Sequence, residues 1–212
     1  MRPSFDLSLY LVLDPGLCAG IGIVETARLA VAGGATMVQL RDKQGGTMAM
    51  VETGRALKAA LSGSGARLII NDDVEAAVAI GADGLHVGQG DTSVVEARAR
   101  ISHNAILGLS VETPQLAAAV NPSLVDYVGV GPVFATPTKQ DHKHPVGFEG
   151  LEAQVAASPV PAVAIGGMKA GHVAEALGAG AAGVAVVSAI CGQCDPEAAA
   201  RDLRTAINRV RG

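Results

Sequence analysis

Short apolar runs bounded by Gly, Asp or Asn recur along the whole chain, at Tyr10–Leu13, Met37–Leu40, Leu68–Ile70, Gly84–Val87, Ile106–Leu109, Tyr127–Gly131, Ala162–Ile165 and Gly183–Val187. They are nearly continuous rather than alternating with polar residues, the pattern of strands buried on both faces. Between them lie Ala-rich stretches with helical spacing: Ile23–Val31, Ala49–Leu61, Val74–Ile80, Val94–Ile101, Leu116–Val120, Leu151–Ala157, His172–Leu177 and Ala198–Val210. Small-residue turns precede several strands, as in Gly34-Ala35, Gly81-Ala82 and Gly180-Ala181, and glycine ending a helix before the next strand is ordinary chemistry for such a connection. Eight strand–helix repeats in 212 residues predict an α/β fold of one domain, a (β/α)8 TIM barrel over residues 1–212. Right-handed crossovers then put every helix outside, and closure leaves no sheet edge. A doubly wound sheet is the alternative arrangement of the same elements.

Composition narrows the core. Hydrophobic residues make up 49% of the chain but aromatics only 2%, with no Trp, so Val, Ile, Leu and Ala must fill the barrel. Sixteen basic and 20 acidic residues give a net charge of −4 without a long run of either sign, which argues against nucleic-acid or membrane-surface partners. Arg2, Asp6 and Asp14 interrupt the one candidate leader around Leu7–Leu13, and a cytoplasmic location is expected. Cys18, Cys191 and Cys194 are an odd number without an export signal, so a disulfide framework is not expected. The Cys191-Gly192-Gln193-Cys194 spacing lacks a second pair and is read as ordinary buried or surface thiols.

In a parallel barrel, chemistry collects at the C-terminal ends of the strands. Past the second strand, alternation would turn Gln39, Arg41 and Lys43 to one side; an inward arginine needs an anion, so this is a candidate anion site. Asn71-Asp72-Asp73 follows the third strand, and the fourth leads through His86 to Asp91. Asp72 and Asp91, oxygen donors from neighbouring strand ends, suit Mg²⁺ with a shell completed by substrate phosphate. Asp73 is expected to cap the next helix. His86 is read as a hydrogen-bonded structural histidine.

Ser110 ends the fifth strand, ahead of a helix begun by Thr113-Pro114. The sixth strand enters a long polar loop carrying Thr136, Thr138, Lys139 and Lys143, a candidate lid. Gly166-Gly167 after the seventh strand and Val187-Ser188 after the eighth, opening a segment that can form a short helix, make a phosphate cradle. Glycines there admit the ligand to the backbone, and helix-start N–H groups bind its charge.

Taken in order, these strand ends resemble the thiamine-phosphate synthases over nearly the whole chain, from Tyr10 to about Ile190. The telling stretches are Val38–Lys43, Ile70–Asp72, His86–Asp91, Gly108–Ser110, Gly129–Lys139, Pro161–Gly167 and Gly183–Ser188. The resemblance implies a Mg²⁺-dependent transferase that joins a pyrimidine diphosphate to a thiazole phosphate and releases pyrophosphate. It implies that Gln39 and Asn71 contact the aminopyrimidine, that Arg41, Lys43, Ser110 and Lys139 hold the diphosphate, and that Asp72 and Asp91 ligate Mg²⁺. Thr136, Thr138, Gly167, Val187 and Ser188 would bind the thiazole phosphate. Asp73 and Glu112 depart from the commoner pattern without removing an expected ligand. A thiazole tautomerase or regulator on the same barrel, a phosphate-ligand sensor, and a homodimeric assembly also stay open.

Overall fold

A computed structural model describes residues 4–136 and 144–212. The first half alternates β1 (Leu9–Leu13), α1 (Ile23–Ala32), β2 (Met37–Leu40), α2 (Gly46–Ala60), β3 (Arg67–Asn71), α3 (Val74–Ile80), β4 (Gly84–Val87) and α4 (Val94–Arg100). The second half repeats the pattern with β5 (Ile106–Val111), α5 (Pro114–Ala118), β6 (Tyr127–Val130), α6 (Gly147–Ala157), β7 (Ala162–Ile165), α7 (Val173–Gly178), β8 (Gly183–Val186) and α8 (Pro196–Arg211). A short 3₁₀ turn, Ala170–His172, precedes α7. All neighbouring strands pair in parallel and β8 returns to β1, closing the barrel. The doubly wound alternative is thereby excluded.

Strand parity divides the core in two. Leu9, Leu11, Leu13, Val38, Leu40, Leu68, Ile70, Leu85, Val128, Val130 and Val184 face outward and pack with the helices in one continuous cluster. Tyr10, Met37, Ile69, Ile106, Tyr127, Val163 and Ala185 form a second cluster inside the barrel. At β4 the same level is occupied by Gly84, where a Cβ would run into the Ile69 side chain and the Ile106 backbone. Burial on both faces is why the strands read as unbroken apolar runs.

Local signals account for several boundaries. Asp73 caps α3, accepting from Ala76 N–H at 2.8 Å, and Gly81 ends it in the left-handed region at φ 62°. Thr113 caps α5 with Pro114 in its first turn. Three expectations need correction. Strand β5 runs on to Val111, so Ser110 lies within the strand. Strand β2 stops at Leu40, so strand alternation no longer governs Arg41 and Lys43. The segment opened by Ser188 is a pair of successive hydrogen-bonded turns, with Ile190 and Cys191 N–H both reaching Val187 O at 3.0 and 2.8 Å and Gln193 N–H reaching Ile190 O at 3.2 Å, and not a short helix. The two ends of the Cys-x-x-Cys spacing part company, since Cys191 is buried with its thiol toward Val12 O and Cys194 is exposed.

Candidate active site

The mouth of the barrel has two halves. On the first, β3 delivers Asn71 to a buried position and then bends at Asp72, whose φ of 60° lies in the left-handed region. Asp is among the residues that tolerate this conformation best. The bend is pinned on both sides, by Asp72 N–H donating to His86 O at 2.8 Å and Asp73 N–H to Asn71 O at 2.7 Å. It turns the Asp72 carboxylate to the Lys43 ammonium, with which it forms a short ion pair. The carboxyl of Asp91 lies beside that of Asp72. Burial first, and the neighbouring Asp91 carboxyl next, raise the Asp72 pKa above the ordinary range, while Lys43 opposes both.

Asp91 is held by its own loop, where Gly88 N–H donates to its Oδ2 at 2.8 Å. Gln89 donates from Nε2 to Ser110 O at 2.7 Å and ties that loop to β5. Arg41 sits half-buried just beyond β2. Lys43, Asp72, Asp91 and Ser110 are thus drawn to one side of the mouth, and Gln39 and Asn71 line the barrel beneath them.

Across the mouth, the loop leaving β6 extends the sheet by two rungs. Val133 N–H donates to Ile165 O at 2.9 Å and Phe134 N–H to Gly166 O at 3.0 Å. Gly166 and Gly167 have φ of 97° and 66°, and a Cβ on them would lie 2.6 Å from Pro132 Cα and 2.7 Å from Phe134 Cβ. Only glycine meets both requirements. The loop returns to the same place, with Val146 N–H on Pro132 O at 2.9 Å and Gly147 N–H on Val133 O at 3.0 Å. Thr136 lies just beyond this tie; Thr138, Lys139 and Lys143 lie outside the described residues. Beside the glycines, the turn at Val187-Ser188 is closed by Gln193 Nε2 donating to Ser188 O at 2.8 Å.

Between the halves runs a line of buried polar groups that the sequence reading did not assemble. Gln39 Nε2 lies 2.7 Å from Tyr10 Oη, Tyr10 Oη 2.8 Å from Tyr127 Oη, Tyr127 Oη 3.0 Å from His86 Nδ1, and His86 Nε2 2.9 Å from Ser110 Oγ. Burial raises the pKa of both phenols, so they act here as neutral hydroxyls. His86 is hydrogen-bonded as expected, one of its partners being the candidate site residue Ser110. A signal was present: the chain has only two Tyr, both fall inside strands, and a buried phenol needs a partner.

Residues 9–190 match the family model for thiamine monophosphate synthase. A thiamine-phosphate synthase of Xanthobacter autotrophicus is 51% identical over 211 residues, covering 100% of both chains. One from a Psychrobacter species is 49% identical over 197 residues and 92% of each chain. The solved thiamine phosphate pyrophosphorylase of Pyrococcus furiosus superposes with a TM-score of 0.87 at 35% identity, covering 97% of this chain and 98% of that one. By family model, by full-length identity and by fold, this chain belongs to the thiamine monophosphate synthase family and is a transferase.

Proposed function

We propose that the chain couples 4-amino-2-methyl-5-hydroxymethylpyrimidine diphosphate to 4-methyl-5-(2-phosphoethyl)thiazole, or to its carboxylated form with loss of carbon dioxide, giving thiamine phosphate and pyrophosphate. The observation that carries this reading is the division of one barrel mouth into a half with paired carboxylates and a lysine and a half lined by two left-handed glycines. Gln39 and Asn71 hold the aminopyrimidine. Arg41, Lys43, Ser110 and Lys139 hold the diphosphate, and Thr136, Thr138, Gly167, Val187 and Ser188 take the thiazole phosphate.

The donor set fits Mg²⁺: two neighbouring carboxyls, Asp72 with its pKa raised by burial and by Asp91, are hard oxygen ligands whose mutual repulsion a cation would relieve. Bound there, the ion would neutralise charge gathering on the leaving diphosphate. The C–O bond between the pyrimidine methylene and the diphosphate breaks, its electron pair leaving with oxygen. The amino-substituted ring stabilises the cation, and the thiazole nitrogen lone pair closes the C–N bond. Negative charge develops on the diphosphate alone, so Lys43, Arg41 and Lys139 carry its stabilisation and no protein base is required.

Among the described residues no helix is long and apolar enough to cross a membrane, and a cytoplasmic reaction is part of the proposal. The test is to incubate the purified chain with both substrates and Mg²⁺. Thiamine phosphate and pyrophosphate should appear in equal amounts. Absence of both at saturating substrate would overturn the reading.

A further inference from the structure

The buried line from Gln39 to Ser110 has a direction. An amide nitrogen only donates, so Tyr10 Oη accepts from Gln39 Nε2. The contact between Tyr10 Oη and Tyr127 Oη admits either hydroxyl as donor; the polarity that continues from the amide has Tyr10 turning its hydrogen to Tyr127. In the same polarity Tyr127 gives its hydrogen to His86 Nδ1, a contact whose direction depends on the histidine tautomer. A neutral imidazole that accepts at Nδ1 carries its hydrogen on Nε2, and this reaches Ser110 Oγ. Ser110 accepts from below, and its own hydrogen is left for the barrel mouth. Reversing the Gln39 amide would reverse every link: His86 would become the Nδ1–H tautomer, and Ser110 would turn its hydrogen down to Nε2.

Only the first polarity suits a phosphate oxygen, which must be met by a donor. The line is also built into the strands. His86, Gly108 and Tyr127 are register partners across β4, β5 and β6. A Cβ on Gly108 would fall on both His86 Nδ1 and the Tyr127 hydroxyl, and one on Gly129 would lie 3.3 Å from His86 Cε1. The glycines open the gap that the hydrogen bond crosses.

We propose that Tyr10, Tyr127 and His86 are positioning residues that transmit the donor polarity of the Gln39 amide to Ser110, fixing Ser110 as a hydrogen-bond donor to the diphosphate. The inference rests on the assignment of Ser110 to the diphosphate and Gln39 to the aminopyrimidine. It makes the two substrate contacts interdependent: an amide oriented to offer its oxygen to the pyrimidine amino group is the one that turns Ser110 toward phosphate.

The experiment combines ¹⁵N spectra of histidine-labelled protein, with His86 identified by its loss in His86→Gln, and calorimetric titration with inorganic pyrophosphate and Mg²⁺. His86 should be the Nε2–H tautomer. In Tyr127→Phe that preference should be lost, and pyrophosphate should bind about 3- to 10-fold more weakly, approaching the loss in Ser110→Ala. Tyr10→Phe breaks the line one link earlier and should act in the same direction, which covers the case of Tyr127→Phe failing to fold. An Nδ1–H tautomer in the unmodified protein overturns the proposal. So does undiminished pyrophosphate binding in Tyr127→Phe while Ser110→Ala is weakened, an outcome that leaves the diphosphate assignment intact. If Ser110→Ala binds pyrophosphate normally although the tautomer responds as expected, the diphosphate assignment fails and the inferred purpose of the line falls with it.

Discussion

Asp72 carries two local costs at one position, a left-handed backbone at φ 60° and a carboxyl whose burial raises its pKa. Such combinations persist where a site requires them. Asp72→Asn keeps the shape and the tolerance for φ above zero but removes the charge. The variant's unfolding midpoint in urea without Mg²⁺ should therefore stay level or rise, while Mg²⁺-dependent turnover falls by at least about 10-fold. A fall in both would mean that Asp72 holds the fold rather than the metal. Asp91→Asn should behave alike in the Mg²⁺ titration, because an amide oxygen can still accept from Gly88 N–H and keep the loop in place. At this scale Asp73 was legible as a cap, whereas Gly166-Gly167, expected to admit a phosphate to the backbone, are packed against Pro132 and Phe134 of the loop after β6. What escaped was relational. Tyr10, Gly108 and Tyr127 look like strand filler, and only strand register shows that Gly108 is small because His86 and Tyr127 meet across it.

Elements were legible through their apolar runs, and where boundaries shifted the reason is local. Helices α2 and α6 begin at Gly46 and Gly147, both at positive φ. A helix entered through glycine hides its first turn from any reading keyed to apolar spacing. Helix α8 starts at Pro196 behind the cap Asp195, a signal carried by residue type rather than hydrophobicity. The turn at Ser188 cannot lengthen because Gly192, at φ 79°, and then Asp195 end it. Below the strands a repeated device stabilises the far face of the barrel. Asp83 accepts from Leu68 N–H at 2.9 Å and Asp126 from Leu107 N–H at 2.8 Å, each closing the start of the preceding strand. Asp126 also pairs with Arg98 at 2.7 Å, both side chains under 10% exposed, and Arg98 donates to Leu124 O and Ala105 O as well. Arg98→Ala should cost about 3–5 kcal/mol in urea unfolding, since it strands a buried carboxylate. A loss under about 1 kcal/mol would show that the pair is replaceable by water.

At the scale of the whole molecule, closure of the barrel does more than remove sheet edges. It sets the carboxylate and lysine ends of β2 to β5 opposite Gly166-Gly167 after β7 and the Val187-Ser188 turn after β8, and in the proposed function each side takes one anionic substrate. This division has a kinetic consequence. In the proposed reaction negative charge grows only on the departing diphosphate, whereas the phosphate of the thiazole keeps its charge throughout. Lys139, assigned to the diphosphate and lying outside the described residues, should matter most in the transition state: Lys139→Ala should lower kcat by about 2–4 kcal/mol, with a smaller effect on ground-state affinity. Ser188, on the turn after β8, would meet a phosphate that does not change. Ser188→Ala should therefore raise the KM for the thiazole phosphate and leave kcat nearly intact, because binding that is equal in ground and transition states does not alter the saturated rate. Steady-state kinetics with each substrate varied in turn separates the two. If Ser188→Ala cuts kcat as deeply as Lys139→Ala and leaves the thiazole KM alone, the charge of both substrates is being managed at one place, and the division of the mouth into two anion sites fails.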